Sequence, residues 1–84
     1  MAKGSKLSPK SLIRATEDSL AIYEGVAEDS PEDTPIILVE LLTNKGIPTK
    51  GLRRWRLKQI SGVGEPHFSQ VLTFLIDNKI VEVR

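Results

Sequence analysis

Residues 57–72, LKQISGVGEPHFSQVL, carry the decision about the fold. Apolar residues recur every three or four positions, the spacing of one helical face. A Gly-Val-Gly interrupts the middle and a proline follows. Inside a helix each glycine costs about 1 kcal/mol relative to alanine, so two this close mark a turn. The stretch reads as helix, sharp turn, helix. Three uses suit such a hairpin: a bend in a small core, a cradle for a phosphate, or a turn that aims a recognition helix into DNA.

Working outward from the turn, a helix is expected from about Lys50 to Ile60, with Gly62 to Gly64 as the connection. The next helix starts near Glu65 or Pro66 and runs to about Asn78. It aligns Phe68, Val71, Leu72, Leu75 and Ile76 on one face. KIVEVR then closes the sequence, with β-branched Ile80, Val81 and Val83 around Glu82, which reads as a strand.

Upstream, Ile47-Pro48-Thr49 is short and extended, because a proline biases its predecessor toward β geometry. Before it, Thr34-Pro35 looks like a cap followed by proline, opening the helix IILVELLTNK with Gly46 as its left-handed stop. That helix is apolar almost all round and is expected to be the most buried. EDSPED at 28–33 is an acidic linker without the spaced ligands and central glycine of a calcium loop. Ser8-Pro9 repeats the cap signal and predicts a helix over 8–27, with Leu12, Ile13, Thr16, Leu20 and Tyr23 as its stripe. Residues 1–7 read as a disordered basic arm. The organisation is one domain over 8–84, with a core from 34 to 84.

The 84 residues include no cysteine, so disulfides and thiolate metal sites are excluded and a reducing compartment is favoured. MAKGSKLSPK is basic but lacks the apolar stretch of a signal peptide. The longest uninterrupted apolar run, Ile36 to Val39, is too short to span a bilayer. A cytoplasmic protein is expected, nucleoid-associated or nuclear according to the cell, not secreted and without membrane contact. The net charge is only +1, but the signs are segregated. Lys3, Lys6, Lys10 and Arg14 open the chain; Glu17, Asp18, Glu24, Glu28, Asp29, Glu32, Asp33 and Glu40 follow with no base among them. Lys45, Lys50, Arg53, Arg54, Arg56 and Lys58 then come with no acid among them. One basic and one acidic face follow. Catalysis finds no support: there is a single histidine, His67, and no lysine-bearing phosphate loop. No enzyme activity, cofactor or metal is expected.

From residue 34 onward the order of helix, extended piece, helix, turn, helix and strand resembles the winged helix-turn-helix family. The resemblance lies in ELLTNKGIP, in GVGEPHFSQVLTFLIDNK and in the strand IVEVR. It implies a mainly α fold with a short β element, preceded here by an extra N-terminal helix. It further implies that the piece near Ile47 pairs with the strand after the recognition helix. Only one strand follows that helix, so a sheet of any size calls for a second chain. The opening stretch also resembles the helix-hairpin-helix motif, in which Leu57, Ile60, Gly62, Val63, Gly64 and Val71 fall at apolar and glycine positions. Its turn would offer backbone N–H groups to a phosphate.

Both resemblances imply double-stranded DNA as partner and a role as a transcriptional regulator or DNA-transaction accessory factor. The phosphate contacts expected are Lys50, Arg53, Arg54, Arg56 and Lys58, with Gly62 and Gly64 under the hairpin reading. Base contacts fall to His67, Ser69, Gln70 and Thr73, where glutamine can pair with adenine. Trp55 is expected half-buried, its indole N–H outward, or stacked at an interface. The GLRRWRLK cluster also has a plainer reading as a solvated face, against which stands its string of cations without an acid beside the turn. A protein-interaction adaptor on the same scaffold is the competing class. Phe74 lies off the apolar stripe and calls for the N-terminal helix or a second copy to cover it. A homodimer is expected, since two copies would bury this apolar surface and double the basic one.

Overall fold

The computed structural model describes residues 10–43 and 51–84. Strand β1 (Leu12–Ala15) leads into helix α1 (Ser19–Val26), a 3-10 turn (Ala27–Asp29) and helix α2 (Thr34–Thr43). Strand β2 (Leu52–Arg53), helix α3 (Arg54–Ser61), helix α4 (His67–Asp77) and strand β3 (Val81–Val83) follow. The fold is mostly helical with a small antiparallel sheet of order β2-β1-β3.

The helix expected over 8–27 is the main correction. Residues 12–15 are extended, and the helix is confined to Ser19–Val26. Thr16 to Asp18 turn the chain between them, with the Ser19 N–H donating to the Thr16 carbonyl at 3.1 Å. β1 is the centre of the sheet rather than an appendage. Ile13 faces Leu52 on one side and Val83 on the other, and its side chain is fully buried. Leu12 and Arg84 exchange backbone hydrogen bonds of 3.0 and 2.9 Å at one end of the β1–β3 pair. At the other end the Thr16 N–H reaches the Ile80 carbonyl at 3.0 Å. Arg14 and Glu82, opposite one another on the outer face, form an ion pair. The β3 strand therefore finds its partner within the same chain, and the three strands form one sheet without a second copy.

Ile47, proposed as the pairing piece, lies outside the described residues, as do Pro48, Thr49, Lys50 and the Gly46 stop. Among the described residues the short strand before α3 is Leu52–Arg53, which pairs with β1 and not with β3, and α3 starts at Arg54 rather than Lys50. Gly51 makes this possible. Its φ is +83°, and a Cβ there would run into the Ile13 carbonyl. The Arg54 N–H then donates to the Ser11 carbonyl at 2.8 Å, fastening the start of α3 to the sheet.

The core gathers Ile13, Ile37, Leu38, Leu41, Leu57, Val63, Phe68, Val71, Leu72, Leu75, Ile80 and Val81. The face expected of α4 is buried as read, with Ile76 only partly so. Ile22, Tyr23 and Val26 of α1 pack against this core, so the segment before residue 34 belongs to it. Phe74 does too, and needs no second copy. The α2 helix is less enclosed than its composition suggests: Ile36 and Val39 are about half exposed. No helix among the described residues is long and apolar enough to cross a membrane.

Candidate nucleic-acid interface

The α3–turn–α4 unit forms as the glycines dictate. Gly62 adopts φ +74° and closes α3, its N–H donating to the Lys58 carbonyl at 3.1 Å. The Val63 N–H donates to the Ser61 hydroxyl at 3.3 Å. Val63 drops its side chain into the core between two exposed glycines.

Glu65, just beyond the turn, organises the start of α4. Its Oε1 accepts the Ser69 hydroxyl at 2.6 Å and the Ser69 N–H at 3.2 Å. Its Oε2 accepts from the Arg54 guanidinium at 3.0 Å and lies 3.5 Å from the Lys58 ammonium. Arg54 also donates to the Ser69 Oγ at 3.0 Å and lies 5.0 Å over the Phe68 ring. Carboxylate, hydroxyl and guanidinium thus close a ring that locks α3 to the first turn of α4. The Ser69 hydroxyl does most to lower the Glu65 pKa from 4.5 to about 2; desolvation, next in size, opposes it, and the Arg54 guanidinium and the Ser69 N–H add to the lowering.

Glu65 supplies an anion at the start of α4 from within the chain. At the turn itself the Gly62 N–H donates to Lys58 and the Val63 N–H to Ser61, while Gly62 and Gly64 are both exposed. Arg54 is engaged by Glu65, Ser69 and Phe68, and Ser69 by Glu65 and Arg54, and both are partly exposed. Lys50 lies outside the described residues.

The others stand where a partner can reach them. His67, Gln70 and Thr73 are exposed along the outer face of α4. Arg53 and Arg56 are exposed at the start of α3, Arg53 donating to the Lys10 carbonyl at 2.6 Å and Arg56 to the Gln59 side chain at 3.3 Å. Lys58 is partly exposed. Trp55 is 49% exposed, half-buried as expected. It borders an open groove of about 520 Å³ with Lys58, Gln59, Gly62, Gly64 and the flank of Arg54.

Two features escaped the sequence reading. One is Glu65 as the hub of the ring: a Glu-x-x-x-Ser spacing puts both side chains one helical turn apart, but Arg54 joins only through the tertiary fold. The other is the groove, which needs the turn and the exposed Trp55 together. No protein-family model, curated protein or solved structure matches the chain.

Proposed function

We propose that this chain binds duplex DNA as a winged-helix-like module, with α3 and α4 as the helix-turn-helix and α4 as the reading helix. The observation that carries the reading is the union of two solvent-facing sets on one helix pair. Arg53, Arg56 and Lys58 supply positive charge on and beside α3, and His67, Gln70 and Thr73 supply hydrogen-bonding groups along α4. Cations hold a duplex through its phosphates, and neutral donors and acceptors on a helix discriminate bases. The acidic run lies on and around α1, the 3-10 turn and the loop after it, away in sequence from these elements.

The sheet supports the winged arrangement in an unusual connectivity. β2 and β3 both pair with β1 and not with each other. β1 thus takes the place beside β3 that the second wing strand takes in the winged-helix resemblance, arriving from the N-terminal side of the helices. Lys10, Arg53 and Arg84 cluster by register at that end of the sheet, where Leu12 pairs with Arg53 and bonds with Arg84.

A second reading, a protein-binding adaptor, rests on α4 itself, which carries no lysine or arginine, and on the exposed apolar Leu20, Ile36 and Val39. Anisotropy titration of a labelled duplex separates the two. Under the DNA reading, affinity falls steeply with salt, and Arg53→Ala with Arg56→Ala flattens the log–log slope by about 1.8, two phosphate contacts' worth. Gln70→Ala relaxes preference at one base position by about 1–3 kcal/mol on the selected site only. A duplex that does not bind at low salt leaves the adaptor reading.

A further inference from the structure

The groove beside the glycine turn has a chemistry that the helix-turn-helix reading leaves unused. One wall is the half-exposed indole of Trp55. The floor is glycine: a Cβ at Gly62 or Gly64 would meet nothing within 4 Å, so the space over the turn is open. The lining also includes Arg54, held by Glu65, Ser69 and the Phe68 ring, and the partly exposed Lys58. The nearest acid, Glu65, is already compensated by two cations and a hydroxyl.

A flat apolar wall in a cationic rim calls for a ligand that is flat, apolar on its face and anionic alongside. A nucleobase with its phosphate has that chemistry. Within a duplex both faces of a base are covered by its neighbours, so the base that fits is an unpaired one. We infer that this groove holds an unpaired nucleobase stacked on Trp55, with the adjoining phosphate on Lys58. The chain then binds single-stranded or frayed ends through a site separate from the outer face of α4. The inference rests on the nucleic-acid reading above and adds a second class of substrate to it.

Trp55 is the only tryptophan, so its emission reports the groove directly. The probe is a single-stranded oligothymidine of about 12 nucleotides, with a fully paired blunt duplex and polyglutamate as controls. Oligothymidine quenches the emission saturably, and polyglutamate does not. Trp55→Leu weakens oligothymidine binding, followed by anisotropy, by roughly tenfold or more, while Trp55→Phe, which keeps an aromatic face, stays within about threefold of the wild type. Duplex affinity is the same in all three. Because the indole is half exposed, both variants keep the helical circular dichroism of the wild type. Unchanged emission with oligothymidine, equal quenching by polyglutamate, or equal losses in the Leu and Phe variants each overturn the stacking site. If the duplex still binds in a salt-dependent way, the helix-turn-helix reading survives that failure; if it binds neither strand form, both fall.

Discussion

Replacing Glu65 with glutamine is expected to weaken the fold and strengthen nucleic-acid binding at once. In the folded protein the carboxylate collects two hydrogen bonds from Ser69 and one from Arg54, with Lys58 at 3.5 Å. These lower its pKa from 4.5 to about 2. In a shielded site a shift of that size corresponds to ~3 kcal/mol. The Glu65 side chain is 39% exposed, so solvent screening reduces its contribution to about 1 kcal/mol. For a domain of this length that is a fall in Tm of roughly 4–8 °C near neutral pH. The sign with pH follows from the direction of the shift. A carboxylate whose folded-state pKa is depressed contributes fully above its unfolded value of 4.5, and the contribution is lost as pH falls toward about 2. Urea unfolding of wild type and Glu65→Gln should therefore differ by about 1 kcal/mol near pH 7, with the gap narrowing as pH falls from 4.5 toward about 2. Glu82, whose pKa is also lowered by its Arg14 hydrogen bond, titrates in both proteins and cancels in the difference. Meanwhile Arg54 and Lys58 lose their internal anion, and duplex affinity at low salt rises by roughly two- to fivefold. A stability gap that persists unchanged at low pH, or a duplex affinity that falls, refutes the role given to Glu65.

Ile13→Ala removes a fully buried side chain from the central strand and should cost about 3 kcal/mol, read as a lower urea midpoint; a midpoint within error of the wild type would deny β1 its place in the core. Gly51→Ala meets both a positive φ and the Ile13 carbonyl, so it should cost more than ~2 kcal/mol, whereas Gly62→Ala, with open space around it, costs about 1 kcal/mol. Equal costs at the two glycines, compared by thermal melting, would contradict the close approach of residue 51 to β1. Exposed Leu20, Ile36 and Val39 favour self-association, and sedimentation at tens of micromolar is expected to give twice the 9.3 kDa chain mass. A single 9.3 kDa species would remove the homodimer from the proposal.

The α3–turn–α4 unit was legible because its signals are long and redundant. Phe68, Val71, Leu72 and Leu75 repeat over about two turns, and Gly62 stands where a helix must end. The strand at 81–83 announced itself by β-branching. β1 did not, because four residues hold too little alternation to compete with a helical stripe from Leu12 to Tyr23. The informative signal was local: Thr16-Glu17-Asp18-Ser19, rich in capping and turn formers, sits where a continuous helix would have its interior. Pairing partners were harder still. Nothing in residues 12–15 says that they lie between 52–53 and 81–83, since that choice depends on Gly51 letting the chain approach Ile13. The same limit applied to the site. Exposure of His67, Gln70 and Thr73 followed from the helical wheel, but the capture of Arg54 and Ser69 by Glu65 depends on how α3 meets α4.

The most direct measurement is amide chemical-shift mapping of the isotope-labelled chain during titration with a short duplex. Binding through the helix-turn-helix predicts shifts concentrated at residues 53–59 and 67–73, with the amides of α1 and the 3-10 turn unmoved. Raising the salt from about 50 to 200 mM should return the shifted peaks toward their free positions. Shifts centred on the exposed face of α2 or on α1, or a spectrum that the duplex leaves unchanged at low salt, would contradict duplex recognition by α3 and α4.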